Sequence, residues 1–307
     1  MKLYANLHTH STHSDGGYTP AQLALAAKTE GYSAAMLTDH DNVSGYPEFR
    51  FECEKLGLET LFGVEFNTPS PLLANQPTDV PHALAASQFH FVGVDFDPEC
   101  PSMKKYLSDL CFRTTEYTRQ LFEKALERGT LSGVEWEEVL ECCRRANKPW
   151  IGGSQLRHAL AELGIMSVAD LKFLKENVFG KYRGEAEPPF DYKNDEEVIN
   201  IIHEAGGLAI LAHPHLQLFC LDALVEMGID GVEVSHPILT EEEMAFVHQY
   251  ALDKNLYISG GSDHYGACCG YYERFPRPED CNKYRPPFIY GTSKHYFDEI
   301  KNRKLDR

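Results

Sequence analysis

The sequence lacks the features that place a protein in a membrane or in an oxidising compartment. Its 307 residues contain no stretch of 18 or more apolar residues, so we expect no membrane span. The opening MKLYANLHTH becomes polar within seven residues and lacks the apolar core of a signal peptide. The nine cysteines are odd in number, and none lies in a CxxC pair. We therefore expect a cytoplasmic protein with reduced thiols and no cysteine zinc cluster.

Positive charge is also scarce. The 29 Lys and Arg residues stand against 46 Asp and Glu residues, which gives a formal net charge of −17. Proteins that bind long nucleic acid neutralise its phosphates with a basic surface, so we expect no such partner. An anionic substrate would need local positive charge, which bound metal ions can supply. The 14 histidines offer the commonest metal ligand.

Short apolar runs alternate with amphipathic helical patterns along the chain. The predicted strands are Leu3–Leu7, Ala34–Leu37, Thr60–Val64, Phe89–Val94, Leu208–Leu211, Gly231–Val234 and Tyr257–Ile258. The helical patterns include one that follows the capping pair Thr19-Pro20, and two over Asn194–Ala205 and Glu241–Asp253. Strands that alternate with helices indicate parallel βα units, and about seven of them favour a barrel over an open sheet.

The stretch from Pro98 to Phe190 interrupts this alternation with one helical pattern after another. The predicted helices there are Tyr106–Arg128, Glu135–Cys143, Gln155–Leu163 and Val168–Val178. We therefore predict a barrel formed by residues 1–97 and 192–307, and a helical insertion over 98–191 that caps its site.

Residues of the metal-ligand type fall at or near the carboxyl ends of six predicted strands. The first strand ends in His8-Thr9-His10, where residues i and i+2 share one side, so both imidazoles can reach one metal ion. The other positions are His40, Glu65, His90, His213 and Asp263. A lone His in a strand is usually a core residue, and Glu65 alone could form a salt bridge. Six such strand ends together favour an active site at one mouth of the barrel.

An ordered series of motifs supports a family resemblance. HTHSTHSDGGYTP, MLTDHDNVSG, GVEF, FHFVG, YRGEAEPPF, AGGLAILAHP and GGSDHYG follow one another along the chain. The sequence thereby resembles the PHP (polymerase and histidinol phosphatase) family of the amidohydrolase superfamily, in its small-molecule phosphoesterase branch. The resemblance implies a distorted (β/α)7 barrel that holds two or three divalent ions, commonly manganese, iron or zinc.

The resemblance also implies a ligand layout. His8, His10 and Asp263 would bind the first ion, and Glu65 would bridge it to a second ion held by His90 and His213. Asp15 and His40 would bind a third ion, with help from the last motif. That motif departs from the family, because Asp263-His264-Tyr265 has its His one position early. Gln155-Leu156-Arg157-His158 also differs from the His-Arg pair that the branch often has there, which suggests a differently shaped anion pocket.

The expected reaction is hydrolysis of a phosphate ester of a small metabolite. A hydroxide shared by two divalent ions is a nucleophile at neutral pH, because metal binding lowers the pKa of water. The expected catalytic residues are Glu65, Asp263, His215 and His264. The expected substrate-binding residues are Arg157, His158, Arg183 and His215. The alternatives are an exonuclease on short RNA or DNA, a histidinol phosphate phosphatase, and a metal-binding module without catalysis.

Overall fold

The computed structural model describes residues 3–75, 88–166, 175–263 and 290–303, and in them seven strands form one sheet in chain order. The strands are β1 (Ala5–Asn6), β2 (Ala34–Leu37), β3 (Glu59–Pro69), β4 (Gln88–Val94), β5 (Leu208–Leu211), β6 (Gly231–Ser235) and β7 (Tyr257–Gly260). The sheet curls until its two ends meet, where the Leu7 N–H donates to the Gly260 carbonyl and the Asp263 N–H to the His8 carbonyl. The result is a nearly closed seven-stranded barrel, as the sequence predicts.

One strand runs against the expected direction. β4 pairs antiparallel with both β3 and β5, whereas the other neighbouring pairs are parallel. The expectation of parallel units throughout is therefore wrong for β4. His90 lies near the amino end of β4, and because that strand is reversed, the residue still reaches the mouth where its neighbours end.

β3 is also longer than the sequence suggests. It continues to Pro69 because its second half pairs with β4, with Asn67 opposite His90. Glu65 therefore lies within a strand and not at its end. Glu65 pairs with Val92 of β4 on one side, and on the other its N–H donates to the Thr38 carbonyl and its carbonyl accepts the Asp41 N–H.

The barrel interior changes from apolar to polar toward the mouth. Residues at i, i+2 and i+4 of a strand share a face, so Leu61 lies on the same face as Glu65, and Val92 on the same face as His90. Leu61, Val92 and Met36 form a buried apolar layer. The cluster to which it belongs includes Phe297 of the last helix. An apolar floor thus supports the polar side chains above it.

Helices surround the barrel, and capping boxes begin three of those next to the strands. The helices next to the strands are α1 (Pro20–Thr29), α2 (Tyr46–Leu56), α6 (Asp195–Glu204), α7 (Leu221–Met227), α8 (Glu241–Lys254) and α9 (Lys294–Lys301). Thr19, Asn194 and Thr240 each form a capping box at the start of α1, α6 and α8. Among the described residues, none of the helices combines the length and the apolar composition needed to cross a membrane.

The described residues between β4 and α6 are mostly helical. They form α3 (Pro101–Glu127), α4 (Trp136–Arg145), α5 (Gly153–Glu162), a π-helical turn (Lys175–Gly180) and a 3-10 turn (Arg183–Glu185). Most of the predicted helix Val168–Val178 lies outside the described residues. This segment has a hydrophobic cluster of its own, which includes Phe122, Leu156 and Tyr182.

Candidate metal centre

Glu65 is the centre of the polar cluster at the barrel mouth. It is 1 % exposed, and each of its oxygens faces a different group of histidines. Oε2 lies 3.3 Å from His8 Nε2, 3.0 Å from His10 Nε2 and 3.2 Å from His40 Nδ1. Oε1 lies 2.9 Å from His90 Nδ1 and 3.0 Å from His213 Nε2. The carboxylate therefore divides five imidazoles into two sets.

The remaining carboxylates that the sequence singles out lie on the side of Oε2. Asp263 Oδ1 is 3.3 Å from His10 Nε2 and 4.0 Å from His8 Nε2. Asp15 Oδ1 is 3.7 Å from His10 Nδ1 and 3.8 Å from His40 Nε2. The structure thus brings together all the predicted metal residues that it describes. His264 lies outside the described residues.

The electrostatics of the cluster keep its central carboxylate ionised. Burial opposes ionisation of Glu65, but His8, His40 and His90 face it and hold its pKa well below the usual range. Burial also opposes protonation of His8, yet Glu233 and Glu65 raise the pKa of His8 well above its usual value. For His40, burial prevails and lowers the pKa to about 4. Anionic oxygens thus lie close to both protonated and neutral imidazoles.

Asp39 fixes the loop that carries Asp15. One of its oxygens accepts from the Ser11 N–H and the Ser14 hydroxyl, at 2.7 and 2.6 Å, and the other accepts from the Ser11 hydroxyl at 2.7 Å. Gly16 closes the same loop, because a Cβ at that position would lie 2.0 Å from the His10 carbonyl oxygen. Glycine at the last position of the SDG sequence therefore permits a tight turn, which a larger residue at that position would force apart.

Three of the seven non-glycine residues with positive φ in the described ranges lie where strands reach the mouth. Asp41, His213 and Asp263 have φ values of 54°, 28° and 61°, in the region that residues other than glycine rarely adopt. Such strain collects at functional sites, where the surrounding structure holds it in place. The value at Asp263 shows that the chain is already turning there.

Three side chains near the cluster were missed by the sequence analysis. Glu233 and His236, from β6 and the turn after it, are fully buried beside His8 and Asp263. Glu243, at the start of α8, places both oxygens within 3.1 Å of His215 Nδ1. The available signal was an acidic residue inside the apolar run GVEV, followed by His-Pro at the same mouth.

The predicted substrate residues lie on two elements. Arg157 and His158 are on α5, where Arg157 is buried. Burial, with help from Arg157, lowers the pKa of His158 to about 4, so this imidazole is neutral at physiological pH. His215 follows β5, and Arg183 begins the 3-10 turn.

The donor set fits divalent metal ions. In the described part of the chain, four groups have ligand atoms within 4.8 Å of one another: His8, His10 and Glu65; His10, Asp15 and His40; His40, Glu65 and His90; and His8, Glu233 and His236. Mixed imidazole and carboxylate donors suit manganese, iron and zinc. A buried carboxylate with imidazoles at both oxygens is also the arrangement that a bridging ligand requires.

Comparison with known proteins leads to the same class. The PHP domain family matches residues 6–130. Over 266 residues the chain is 30 % identical to the phosphoribosyl 1,2-cyclic phosphate 1,2-diphosphodiesterase of Eggerthella lenta, with 85 % of this chain and 94 % of the relative covered. It is 29 % identical over 276 residues to the 5′-3′ exoribonuclease Rnm of Salmonella typhimurium, with 86 % and 85 % covered.

A solved structure supports the fold. A Bifidobacterium adolescentis protein assigned to the metal-dependent phosphoesterases superposes with a TM-score of 0.72 at 23 % identity, with 99 % of this chain and 97 % of that chain covered. Taken together, the barrel, the donor set and the relatives define a metal-dependent phosphoesterase. The chain belongs to the PHP family. The family and enzyme class expected from the sequence motifs are both confirmed.

Proposed function

We propose that this phosphoesterase hydrolyses a phosphate ester of a small metabolite at the mouth of its barrel. The observation that carries the proposal is the division of five imidazoles between the two oxygens of Glu65. That division matches two ion positions with one bridging carboxylate. A pair of divalent ions supplies charge stabilisation and water activation for attack on phosphorus.

We propose three ion positions. His8, His10 and Asp263 would hold the first ion, His90 and His213 would hold the second, and Glu65 would serve both. Asp15 and His40 serve a third position, with His264 as a further ligand. We propose manganese, iron or zinc as the native metal, because the donors are imidazoles and carboxylates.

His215 is the proposed proton donor to the leaving oxygen, and Glu243 orients it. Glu243 is fixed by the N–H groups of Leu216 and Thr240, at 3.2 and 2.8 Å. With His215 Nδ1 held by this carboxylate, Nε2 is the nitrogen that can deliver a proton. Glu65 and Asp263 act by holding ions, and His264 is a second candidate for proton transfer.

The helical insertion over 98–191 caps the site in this proposal and limits substrate size. Gln155 of α5 donates to the carbonyl oxygens of Thr12 and Ser14, so it holds α5 against the loop that carries Asp15. Arg157, on the same helix, keeps its charge when buried and is the proposed partner of a phosphoryl oxygen. His158 contributes hydrogen bonding without charge, and Arg183 is a further candidate.

The favoured substrate is a ribosyl cyclic phosphate or a nucleotide bisphosphate. The Eggerthella relative is named for a phosphoribosyl cyclic phosphate, which supports this class. The net charge of −17 disfavours long polyanions. A 5′-3′ exoribonuclease acting on short RNA is the second candidate, because the Salmonella relative bears that name. Histidinol phosphate is a lower-ranked alternative substrate.

A phosphate-release screen tests the proposal. Manganese-loaded protein is incubated with ribosyl cyclic phosphates, nucleoside bisphosphates, sugar phosphates and histidinol phosphate, and a labelled 20-nucleotide RNA is followed on a gel. We expect the highest kcat/KM on a cyclic phosphate or bisphosphate. Arg157→Gln should raise KM, whereas Arg144→Gln on the exposed face of α4 should not. Degradation of the RNA as efficient as turnover of every small ester would favour the exoribonuclease, and no hydrolysis of any phosphate ester would refute the proposal.

We also propose a cytoplasmic location. The six cysteines in the described ranges, including the buried Cys53, Cys142 and Cys143, are all free thiols. Free thiols persist in reducing compartments. Fractionation of the native host tests this assignment.

A further inference from the structure

Glu233 links two of the proposed metal ligands. It is 0 % exposed, and its Oε1 lies 2.9 Å from His8 Nδ1. Its Oε2 accepts the backbone N–H of His213 at 2.8 Å. His8 and His213 face different oxygens of Glu65, so one buried carboxylate fixes a ligand from each set. The contact with His213 also holds the backbone where φ is 28°.

The hydrogen bond at Nδ1 of His236 determines which of its two ring nitrogens carries the proton. Its Nδ1 accepts the Ile238 N–H at 3.2 Å, so Nδ1 presents a lone pair. A ring whose Nδ1 accepts a backbone N–H carries its proton on Nε2. Nε2 has no hydrogen-bond partner among the described residues, and Asp263 Oδ2 lies 3.4 Å from it. Asp263 directs its other oxygen toward His10.

This bonding pattern disfavours a further metal position at Glu233 and His236. Atoms of His8, Glu233 and His236 lie within 4.8 Å of one another, as ligands of one ion would. Both oxygens of Glu233, however, already accept hydrogen bonds. A metal on His236 Nε2 would require its proton to move to Nδ1, where it would oppose the Ile238 N–H.

We propose that Glu233 and His236 are positioning residues, which orient His8, His213 and Asp263 for metal binding without binding metal themselves. This role rests on the metal centre proposed above, because Glu233 and His236 contact its ligands and not its ions. Such outer partners fix ring orientation and raise ligand basicity. Removing one should weaken metal affinity about 10- to 100-fold.

A matched pair of substitutions at His236 tests the proposal. His236→Asn keeps an acceptor for the Ile238 N–H but is too short to reach Asp263, whereas His236→Gln places an amide N–H near the position of Nε2. Mn²⁺ affinity is measured by competition with a chelator, and the bound ion is followed by electron paramagnetic resonance. We expect His236→Asn to raise Kd at least about tenfold and His236→Gln to restore most of the affinity. Equal affinities for wild type, Asn and Gln would overturn the role of His236.

Glu233→Gln tests the role of Glu233 independently. A glutamine has one acceptor and one donor, so it cannot satisfy both His8 Nδ1–H and the His213 N–H. The control is Asp195→Asn, which removes a buried carboxylate that contacts Thr68 and Ser70. Thermal unfolding of the metal-free proteins corrects for general destabilisation. We expect weaker Mn²⁺ binding for Glu233→Gln alone, and equal losses in both variants would refute the positioning role. If wild type itself binds no Mn²⁺, the proposed metal centre is refuted. If every variant binds Mn²⁺ as tightly as wild type, only the positioning role is refuted.

Discussion

Gly261 is the point where the barrel closes against a proposed ligand, and adding one methyl group there should disable the site. A Cβ at Gly261 would lie 2.4 Å from the His8 backbone nitrogen and 2.5 Å from the His8 Cβ. Ordinary van der Waals contact begins near 3.4 Å, so β1 and β7 must separate by about 1 Å. Overpacking of this kind costs about 1–3 kcal/mol of folding stability. Misplacement of a site residue by about 1 Å can cost roughly 100-fold in rate.

The assay compares Gly261→Ala with Gly184→Ala, where a new Cβ meets nothing within 4 Å. We expect Gly261→Ala to fold, to bind fewer Mn²⁺ ions per chain, and to release phosphate about 100-fold more slowly. Gly184→Ala should match wild type in all three measurements. A Gly261→Ala protein with full metal content and wild-type turnover would show that the closure does not position His8.

Three further predictions concern the ligands, the loop and a buried acid. Glu65→Ala or His8→Ala should reduce the rate of phosphate release by more than about 100-fold, since losing even an outer partner of a ligand costs about 10- to 100-fold in metal affinity or activity. The circular dichroism spectrum should be unchanged. Substantial turnover in either variant would contradict the assignment. Asp39→Asn should loosen the loop that carries Asp15 and lower the affinity for the most weakly bound ion about tenfold in a metal titration. An unchanged titration would exclude this role for Asp39. Burial raises the pKa of Glu30 to about 7, and its Oε2 has no hydrogen-bond partner among the described residues. The folded state therefore holds this proton more tightly than the unfolded state, and the associated stability is lost as pH rises from about 4.5 through about 7. Glu30→Gln should remove that loss, so its free energy of unfolding in urea should exceed that of wild type by roughly 1 kcal/mol at pH 8 and equal it at pH 4. An equal effect at both pH values would contradict this role of Glu30.

Local sequence predicted the strands because each is a short apolar run between helical patterns. Ala34–Leu37 and Leu208–Leu211 match β2 and β5 to the residue. The direction of β4 could not be read in this way, because direction depends on which neighbour a strand pairs with and not on its own residues. The same pairing extends β3 beyond Glu65.

The proposed ligands were easier to predict than the residues that support them. His8 and Asp263 stand in motifs that end strands, so their convergence follows from the topology of a barrel. Glu233 and His236 carry no comparable spacing, and an acid in a strand is ordinarily taken for a solvent-facing residue. Their importance depends on complete burial, which only the packed structure reveals.

The number of divalent ions bound per chain tests the proposed metal centre most directly. Protein purified after growth in metal-replete medium is analysed for manganese, iron and zinc, with Glu65→Ala measured in parallel. We expect at least two ions per wild-type chain and a clear loss in the variant, because both oxygens of Glu65 face ligand sets. At most one ion per wild-type chain, or an unchanged count without Glu65, would contradict it.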